Sequence, residues 1–365
     1  MEFGYISNDP DLKRVPQERN QVDKITEYGI DNLYPQRIKE VMNLSPITKS
    51  TIELQASFIR GDGFERGDKI VNDQNETAND ILRLISFDKS LFDGYCLHIN
   101  GSAIGKTTSI DYVDFEFVRL GLMNQNGNIN DCRVSINWEE SSKVLPTNDK
   151  RIQRFTLYDP AKQGEEVLTT GKGMLLYASP RKNTYPISNI DAIIEACQAD
   201  YELQVYTLSQ INNGFLNLSV FKYPSGGDTE TEEEELSKKL NQLKGARNAN
   251  SILVASIDED YEGGSLIEQF PAINGDSLFI NSTINTRNTI LGNMALPRSL
   301  VGYTPEGSLF TSQQIADDYT YMNLRTKDIR NEIERQFDKL GLNLGKIIPN
   351  QFESSQMKDD VNQPR

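Results

Sequence analysis

The sequence predicts an α+β protein, and three observations lead to that prediction. Apolar residues at helical spacing occur between residues 35 and 60 and again after residue 188, and alternating strand-like runs lie between residues 95 and 178. A short group of strands then separates two long helical segments. With 365 residues, the chain is long enough for two or three folded units with a sizeable buried core.

The chain begins with a polar segment, residues 1–31, which we expect to be an extended arm. A helix is predicted from about Pro35 to Asn43, and a second follows Ser45. Ser45 is a typical N-cap, Pro46 suits the first helical position, and Gly61 suits the end. These signals predict two consecutive helices, the second of which is capped by Ser45.

The next region changes from helix to sheet. A short helix is predicted over Ile81 to Phe92, and residues 95–99 then alternate in polarity, as expected of a strand. Turn-rich stretches separate further strand-like runs. These runs are Tyr112–Leu120, Cys132–Trp138, Arg154–Tyr158 and Gly173–Ala178. The short connections favour a mostly antiparallel sheet.

Two long helices flank a small insert in the second half of the chain. The first is predicted from Ser188 to Asn212, which would be about 37 Å long, and the second from Asp276 to Met294. Residues 215–273 between them contain strand, acidic helix and strand patterns, which predicts a β-α-β insert. Helices this long, with polar residues beside their apolar stripes, are unusual in the core of a single chain of this size.

The third long helix carries the clearest pattern in the sequence. Thr311 and Gln314 are typical of its cap, and Gly341 follows its last turn. Its apolar stripe comprises Ile315, Tyr319, Met322, Ile329, Ile333, Phe337 and Leu340. Residues 343–365 are polar, and we expect them to be frayed.

The charge and the apolar content restrict the function. The chain has 38 basic and 53 acidic residues, a net charge of −15, and no clustered basic footprint of the kind that grips nucleic acid. Every apolar run is too short to cross a bilayer, and the N-terminus does not resemble a secretory signal, so we expect no membrane association.

Several classes of chemistry are disfavoured by residue counts. The single histidine, His98, lies in a strand-like run, so a histidine-dependent nucleophile or a zinc site of several histidines is not expected. Cys96, Cys132 and Cys197 are widely spaced and indicate buried thiols rather than a disulfide framework. We therefore expect no enzyme activity and no cofactor.

Two short motifs are compatible with ligand chemistry. The glycines of Gly101–Thr107 have three residues between them instead of the four of a phosphate-binding loop, so a hairpin turn is expected. Asp258 and Asp260 could hold a divalent metal, as in metal-dependent transferases, but their place between two short strands, before Gly263 and Gly264, favours a solvated turn. The transferase remains an alternative function, as does a monomeric adaptor or scaffold.

The order of elements resembles the portal proteins of tailed bacteriophages. The resemblance covers roughly residues 32–342, and it rests on order and spacing more than on any one motif. Asn32–Pro35 and Ile59–Phe64 resemble the opening helices of portals, and Leu91–Tyr95 is similar to their wing. Residues 295–302, Ala-Leu-Pro-Arg-Ser-Leu-Val-Gly, resemble a Pro-x-x-Leu-x-Gly segment that portals carry before a loop and a long helix.

The resemblance implies a portal-like domain order: a wing of helices and mostly antiparallel sheet, long stem helices, a small β-α-β clip and a long C-terminal helix. Its implied bounds are 1–31 for an N-terminal arm, 32–186 for the wing, 187–214 for stem helix 1, 215–273 for the clip, 274–295 for stem helix 2, 296–311 for the tunnel loop, 312–342 for the wing or crown helix and 343–365 for a flexible tail.

The resemblance also implies roles for individual residues. Those expected at a subunit interface along the stem are Ile193, Cys197, Tyr201, Leu208, Ile280, Ile284, Arg287 and Leu291. Those expected in the channel or tunnel loop are Leu296, Pro297, Arg298, Val301, Tyr303 and Glu306. Those expected to dock partners on the clip are Lys222, Glu232 and Glu235.

The implied function is structural. A ring of copies of the chain, usually a dodecamer, would occupy one vertex of the capsid as a conduit for DNA packaging and ejection. Its implied partners are the major capsid protein, the terminase motor, head-completion or adaptor proteins, and double-stranded DNA that passes without sequence-specific binding. The implied location is the virion, and the host cytoplasm during assembly. The negative charge suits such a conduit, because it repels the phosphates of DNA.

Overall fold

A computed structural model gives the structure of this chain. It describes residues 19–20, 25–138, 152–180, 184–212, 219–225, 252–258, 267–269, 275–302 and 310–352. The chain divides into two compact units. One comprises residues up to 193 together with those from 291 onward, and the other comprises residues 194–290.

The described α-helices lie close to the predicted segments. They are α1 (Tyr34–Leu44), α2 (Pro46–Arg60), α3 (Ala78–Phe92), α4 (Gln163–Thr170), α5 (Ile194–Asn212), α6 (Gly275–Met294), α7 (Arg298–Val301) and α8 (Ser312–Lys339). Short 3-10 turns cover Phe115–Phe117 and Asp191–Ile193. Neither α4 nor α7 was predicted. The eight residues of α4 carry no apolar stripe strong enough to stand out from the turns around them. The segment of α7 was predicted as loop, because one helical turn is too short to show periodicity.

The strands form several small sheets. They are β1 (Arg19–Asn20), β2 (Ile25–Thr26), β3 (Gly63–Phe64), β4 (Tyr95–Gly101), β5 (Thr107–Val113), β6 (Val118–Leu120), β7 (Asp131–Val134), β8 (Gln153–Thr156), β9 (Met174–Ala178), β10 (Ser219–Ser225), β11 (Ile252–Asp258), β12 (Ile267–Gln269) and β13 (Ile347–Ile348). In the larger unit the sheets β5-β4-β9 and β6-β7-β8 are antiparallel throughout. The α+β class with a mostly antiparallel sheet is confirmed.

Helix caps predicted from the sequence are present. The Ser45 hydroxyl accepts the N–H of Thr48 at 3.3 Å, and Pro46 begins α2. Thr311 accepts the N–H of Gln314 at 3.2 Å at the start of α8. A side chain at each of these ends satisfies one of the N–H groups that a helix leaves unpaired.

One predicted strand, Tyr112–Leu120, is wrong. The chain instead ends β5 at Val113, turns through the 3-10 segment Phe115–Phe117, and starts β6 at Val118. The buried carboxylate of Asp88 accepts the hydroxyl of Tyr112 at 2.8 Å and the N–H of Phe115 at 3.4 Å. These bonds turn the backbone away from a straight strand, and an alternating apolar pattern does not reveal them.

The core of the larger unit lies between α3, α8 and the sheet around β4. Ile85, Leu97, Ile99, Ile333 and Phe337 are among its buried members. The predicted stripe of α8 is confirmed, since its C-terminal half faces this core. The core therefore joins residues from the two ends of the chain.

Parts of the predicted arm and of the predicted tail belong to the folded unit. Residues 344–348 are not frayed, because Leu344 and Ile347 are buried and β13 pairs with β3. Likewise Ile25 and Tyr28 are fully buried, so this part of the predicted arm belongs to the folded unit. In each case a few apolar residues inside a polar segment determine the packing.

The smaller unit contains α5, α6 and a three-stranded sheet. The strands β10 and β11 are parallel, from Ser219 opposite Ile252 to Ser225 opposite Asp258, and β12 is antiparallel to β10. A parallel pair needs a crossover connection, which agrees with the predicted β-α-β insert. Residues 226–251, where that helix was predicted, lie outside the described residues.

The helix predicted from Ser188 begins later, at Ile194. The hydroxyl of Ser188 donates to the carbonyl of Leu91 at 2.7 Å and accepts the N–H of Ile190 at 3.3 Å. The Asp191–Ile193 3-10 turn follows before α5 starts. Ser188 therefore anchors the entry of the helix to the end of α3 rather than capping a continuous helix.

Candidate subunit interface

The helices α5 and α6 run antiparallel as a pair. The guanidinium Nε of Arg287 lies 4.0 Å from Oδ1 of Asp200, and the rings of Tyr206 and Phe279 lie 5.5 Å apart. Moving forward along α5 from residue 200 to 206 therefore corresponds to moving backward along α6 from 287 to 279. An ionic contact and an aromatic contact thus join the two helices.

The end of this pair where α5 stops and α6 starts exposes large aliphatic side chains. Leu208 is 57% exposed, Ile211 56%, Ile280 55% and Ile284 39%. They flank the Tyr206–Phe279 contact in sequence. We call these four residues the aliphatic patch. Exposed aliphatic groups gathered on one element are typical of a surface that another protein covers.

The predicted stem residues do not share one environment. Ile193, Cys197 and Leu291 are buried within the chain itself, and Tyr201 is half-buried. Leu208, Ile280 and Ile284 are exposed. The single stripe expected on each helix is thus buried at one end of the pair and exposed at the other.

The helix α6 carries few charges. Asp276 and Arg287 are its charged residues, whereas asparagine, serine and threonine occupy nine of its positions. The carbonyl oxygen of the Asn288 side chain is buried without a hydrogen-bond partner in the described part of the chain. Depletion of charge in favour of neutral polar and aliphatic residues is typical of the central part of protein–protein interfaces.

The segment after α6 forms a compact turn. Leu296 is buried, and its N–H bonds to the carbonyl of Leu291 at 3.1 Å. Pro297 caps the short helix α7, in which Arg298 is exposed and Val301 is half-buried. The hydroxyl of Ser299 bonds to the carboxylate of Asp318, which ties α7 to α8.

The other predicted channel and docking residues are located only in part. Tyr303 and Glu306 lie outside the described residues, as do Glu232 and Glu235. Lys222 lies on β10, opposite Ala255 of β11. The aromatic pair Tyr206 and Phe279 was missed by sequence reasoning, although an aromatic residue near the facing end of each long helix was the available signal.

The motifs compatible with ligand chemistry have structural explanations. Gly101–Lys106 forms the hairpin turn between β4 and β5, closed by the Ser102 N–H bond to the Lys106 carbonyl at 2.8 Å. His98 lies on β4 beside Phe155, and burial lowers its pKa. The three cysteines are buried thiols. Asp258 ends β11, and Asp260 lies outside the described residues.

The described residues contain no cluster of three or more histidine, cysteine or acidic side chains suited to a metal ion. Within the same residues, no helix is both long enough and apolar enough to span a membrane.

Comparisons with known proteins show similarity at the level of structure. No family model matches the sequence, and a search of curated proteins finds no match. A chain in the neck of a native gene transfer agent particle, computed with C12 symmetry, aligns with a TM-score of 0.53 and 11% identity. That alignment covers 90% of this chain and 88% of the other.

Two further solved structures align over similar lengths. A chain in the neck of the empty gene transfer agent particle, computed with C6 symmetry, gives a TM-score of 0.53 at 10% identity over 91% of this chain and 89% of that one. A portal protein of the HK97 family from Corynebacterium diphtheriae gives 0.43 at 8% identity over 89% and 98%, a likeness too weak to assign a fold. This chain therefore has the fold of a protein found in the neck of gene transfer agent particles.

Proposed function

We propose that this chain is the portal subunit of a tailed bacteriophage or a related particle, and that a ring of its copies forms the conduit through which DNA is packaged and ejected. The observation that carries the proposal is the shared fold with neck proteins over nine-tenths of the chain. One of those necks was computed with C12 symmetry, which supports a dodecamer as the assembly.

The aliphatic patch supports the ring. Its exposed side chains lie on the two long helices that the portal resemblance identifies as the stem. Covering a fully exposed aliphatic side chain contributes about 1.5–3 kcal/mol, and these four are about half exposed, so each adds roughly half of that to association. In a ring, the patch of one copy would pack against a different surface of its neighbour, as heterologous contacts do.

The remaining assignments follow from the same proposal. The turn that begins at Pro297 leads into the tunnel loop, with Arg298 as its exposed cation. The sheet β10–β12 belongs to the clip, which would dock the terminase motor and later the head-completion proteins. The major capsid protein would surround the ring in the virion, and assembly would take place in the host cytoplasm. No observation favours the metal-dependent transferase or the monomeric adaptor over this function.

Electron microscopy of the purified chain tests the proposal. We expect annular particles with a central opening, and light scattering should give about 500 kDa if twelve copies of 41.3 kDa assemble. Co-expression with capsid and scaffolding proteins provides a second arm for the case in which rings need those partners. Monomers of 41.3 kDa in both arms would contradict the proposal.

A further inference from the structure

A cleft in the larger unit has a feature that the portal function does not use. The cleft has a volume of about 510 Å³ and lies between α1, α2, α3 and the segment from Tyr112 to Glu116. Asp88, Phe92 and Phe115 line it and are each at most 4% exposed. A buried carboxylate thus lines an open cavity beside two buried aromatic rings.

The cleft has an acidic end and a basic end. The hydroxyl of Ser90, near the end of α3, donates to the carbonyl of Ile52 in the first half of α2 at 3.0 Å. At the other ends, Asn79 in the first turn of α3 accepts the N–H of Phe64, just after α2, at 2.9 Å, so the two helices are antiparallel. Asp88, on α3, therefore lies beside the middle of α2. Arg60 and Arg83 line the other end of the cleft, where α2 ends and α3 begins. Asp88 lies five positions after Arg83 on α3, which corresponds to about 7.5 Å along the helix axis.

The carboxylate of Asp88 has unused hydrogen-bonding capacity. Its Oδ2 accepts the hydroxyl of Tyr112 at 2.8 Å and the N–H of Phe115 at 3.4 Å. Its Oδ1 has no hydrogen-bond partner within the described residues. Buried carboxylates are normally paired with a cation, because removing the charge from water is costly.

The nearby cation of the cleft is already engaged. The ammonium of Lys39 lies 2.5 Å from the carboxylate of Glu116. Asp114 adds to the negative charge, since its Oδ1 also accepts the hydroxyl of Tyr112, at 3.3 Å. Burial, with the nearby charge of Asp114, raises the pKa of Asp88 to about 8. The ammonium of Lys39 also acts on Asp88, but it is shared with Glu116 and Asp114, so one ammonium serves three carboxyl groups there.

The walls suit an organic cation better than a metal ion. The rings of Phe92 and Phe115 stack 5.2 Å apart beside the carboxylate. A guanidinium forms paired, charge-assisted hydrogen bonds with a carboxylate, and an ammonium forms single ones, while the apolar ring edges exclude water around them. A metal ion needs several converging oxygen ligands, and no cluster of three acidic side chains occurs in the described part of the chain.

We propose that this cleft binds an ammonium or guanidinium group at Asp88, with Arg60 and Arg83 positioned to receive an anionic group of the same ligand. The group comes either from a free small molecule or from a basic side chain of a second copy of the chain. The inference does not depend on ring formation by the aliphatic patch.

Calorimetric titration with L-arginine tests the proposal, because that molecule carries a guanidinium and a carboxylate. The full chain should bind it at millimolar concentration, and ethylguanidinium chloride, which lacks the carboxylate, should bind more weakly at equal ionic strength. Asp88→Asn should weaken binding about tenfold or more. The amide matches the shape of the protonated acid, so the variant should fold. Asp73→Asn, at an exposed position, serves as the control.

Proton release provides a second readout. A bound cation favours the ionised form of Asp88, so at pH 7 the heat of binding should change with the ionisation enthalpy of the buffer. The other ionisable groups that line the cleft are Lys39, Glu53, Arg60, Arg83, Tyr112, Asp114 and Glu116. The buffer dependence should disappear in Asp88→Asn and persist in Asp73→Asn.

Light scattering and the titrations decide where the natural ligand comes from and whether the proposal is correct. If L-arginine lowers the mass of the assembled sample by light scattering, the natural ligand is a basic side chain of another copy. If it binds and leaves the mass unchanged, the ligand is a free cation. Absence of binding at about 50 mM, or equal binding to wild type and Asp88→Asn, would overturn the proposal.

Discussion

The guanidinium of Arg119 holds Asn32 through both its side chain and its backbone. Nε of Arg119 donates to Oδ1 of Asn32 at 2.7 Å, and Nη2 donates to the carbonyl of Asn32 at 2.6 Å. Asn32 has a φ of +63°, a left-handed conformation that asparagine tolerates better than most residues. This contact joins the turn before α1 to the strand β6.

The charge of Arg119 is stabilised without an ion pair in the described residues. The side chain is fully buried, its Nη1 donates to the carbonyls of Glu116 and Val118, and it lies over the rings of Tyr28 and Trp138 at 5.7 and 5.2 Å. Burial lowers its pKa to about 10, so it remains charged at neutral pH. A planar group with five donors fits this site, and an ammonium does not.

We therefore expect Arg119→Lys to destabilise the larger unit. Loss of several buried hydrogen bonds to one charge should lower the free energy of unfolding by about 2–4 kcal/mol. Urea denaturation followed by tryptophan fluorescence measures this, since Trp138 lies beside the site. Arg154→Lys is the control, because that side chain is 70% exposed, and it should change stability by less than about 0.5 kcal/mol. Equal effects of both substitutions would contradict the role given to Arg119.

The stability of the fold should depend on pH through Asp88. Its pKa is raised to about 8 in the folded chain, above the ordinary value of a carboxyl group, so the folded state binds more protons than the unfolded state between these values. The free energy of unfolding contributed by this group should fall as pH rises from about 4 to 8, with a slope of up to about 1.4 kcal/mol per pH unit.

Asp88→Asn isolates this contribution. Chemical denaturation at several pH values should give a smaller pH dependence for the variant, and the variant should be at least as stable as wild type at pH 8, because the amide needs no proton. Asp73→Asn should retain the wild-type slope. If the pH dependence of the free energy of unfolding were unchanged in Asp88→Asn, a group other than Asp88 would be responsible for it.

Gly61 is required where the C-terminal segment crosses α2. It has a φ of +55° and a ψ of −143°, a region that other residues avoid, and a Cβ there would lie 2.0 Å from the carbonyl oxygen of Ile348. The N–H of Asp62 bonds to the same oxygen at 2.8 Å. The pairing of β13 with β3 therefore depends on the absence of a side chain at this position.

Gly61→Ala should lower the free energy of unfolding by at least about 2 kcal/mol. Hydrogen exchange at Asp62 should also accelerate, since that amide loses its acceptor when β13 moves. Gly292→Ala is the matched control, because Gly292 lies in α6 with nothing near its Cβ position. That substitution should stabilise by about 0.5–1 kcal/mol. Comparable destabilisation by both would indicate a general sensitivity to alanine rather than a contact at Ile348.

The aliphatic patch should control assembly. Leu208→Glu combined with Ile280→Glu places two charges where the ring proposal needs an apolar contact, so rings should dissociate into single chains. Light scattering and electron microscopy measure the outcome, and circular dichroism verifies folding. Leu168→Glu adds a charge at a position on α4 that is 74% exposed and should leave rings intact. Rings that persist in the double variant would place the interface elsewhere.

The helices and most strands could be predicted because their signals are local. The Ser45 and Thr311 caps and the stripe of α8 depend on residues that are three or four positions apart in the sequence. The structure contains all of them. The 3-10 turn at Phe115 could not be predicted in this way, since it depends on Asp88, which lies 27 residues earlier. The burial of Ile347 likewise depends on β3, near the start of the chain.

The candidate interface was predictable only in outline. Spacing identified the two long helices, but not where along them the apolar side chains change from buried to exposed. The contrast between buried Leu291 and exposed Ile280 shows that change within α6, and the spacing of the apolar residues does not encode it. The contact between Tyr206 and Phe279 depends on the relative register of α5 and α6, which neither helix specifies alone.

Arg298 provides a test of the conduit that is separate from assembly. Its side chain is exposed at the start of α7, and the Ser299 bond to Asp318 fixes that short helix on α8. When Arg298 faces passing DNA, its positive charge weakens the repulsion between the DNA phosphates and an acidic channel. Reversing this charge should therefore strengthen the repulsion. Arg298→Glu should therefore reduce the DNA retained per particle, measured by quantitative PCR on nuclease-treated particles, while rings remain intact. Lys172→Glu, an exposed charge reversal in the larger unit, should leave the DNA content unchanged. Loss of rings in Arg298→Glu would assign this residue to the subunit interface instead of the channel.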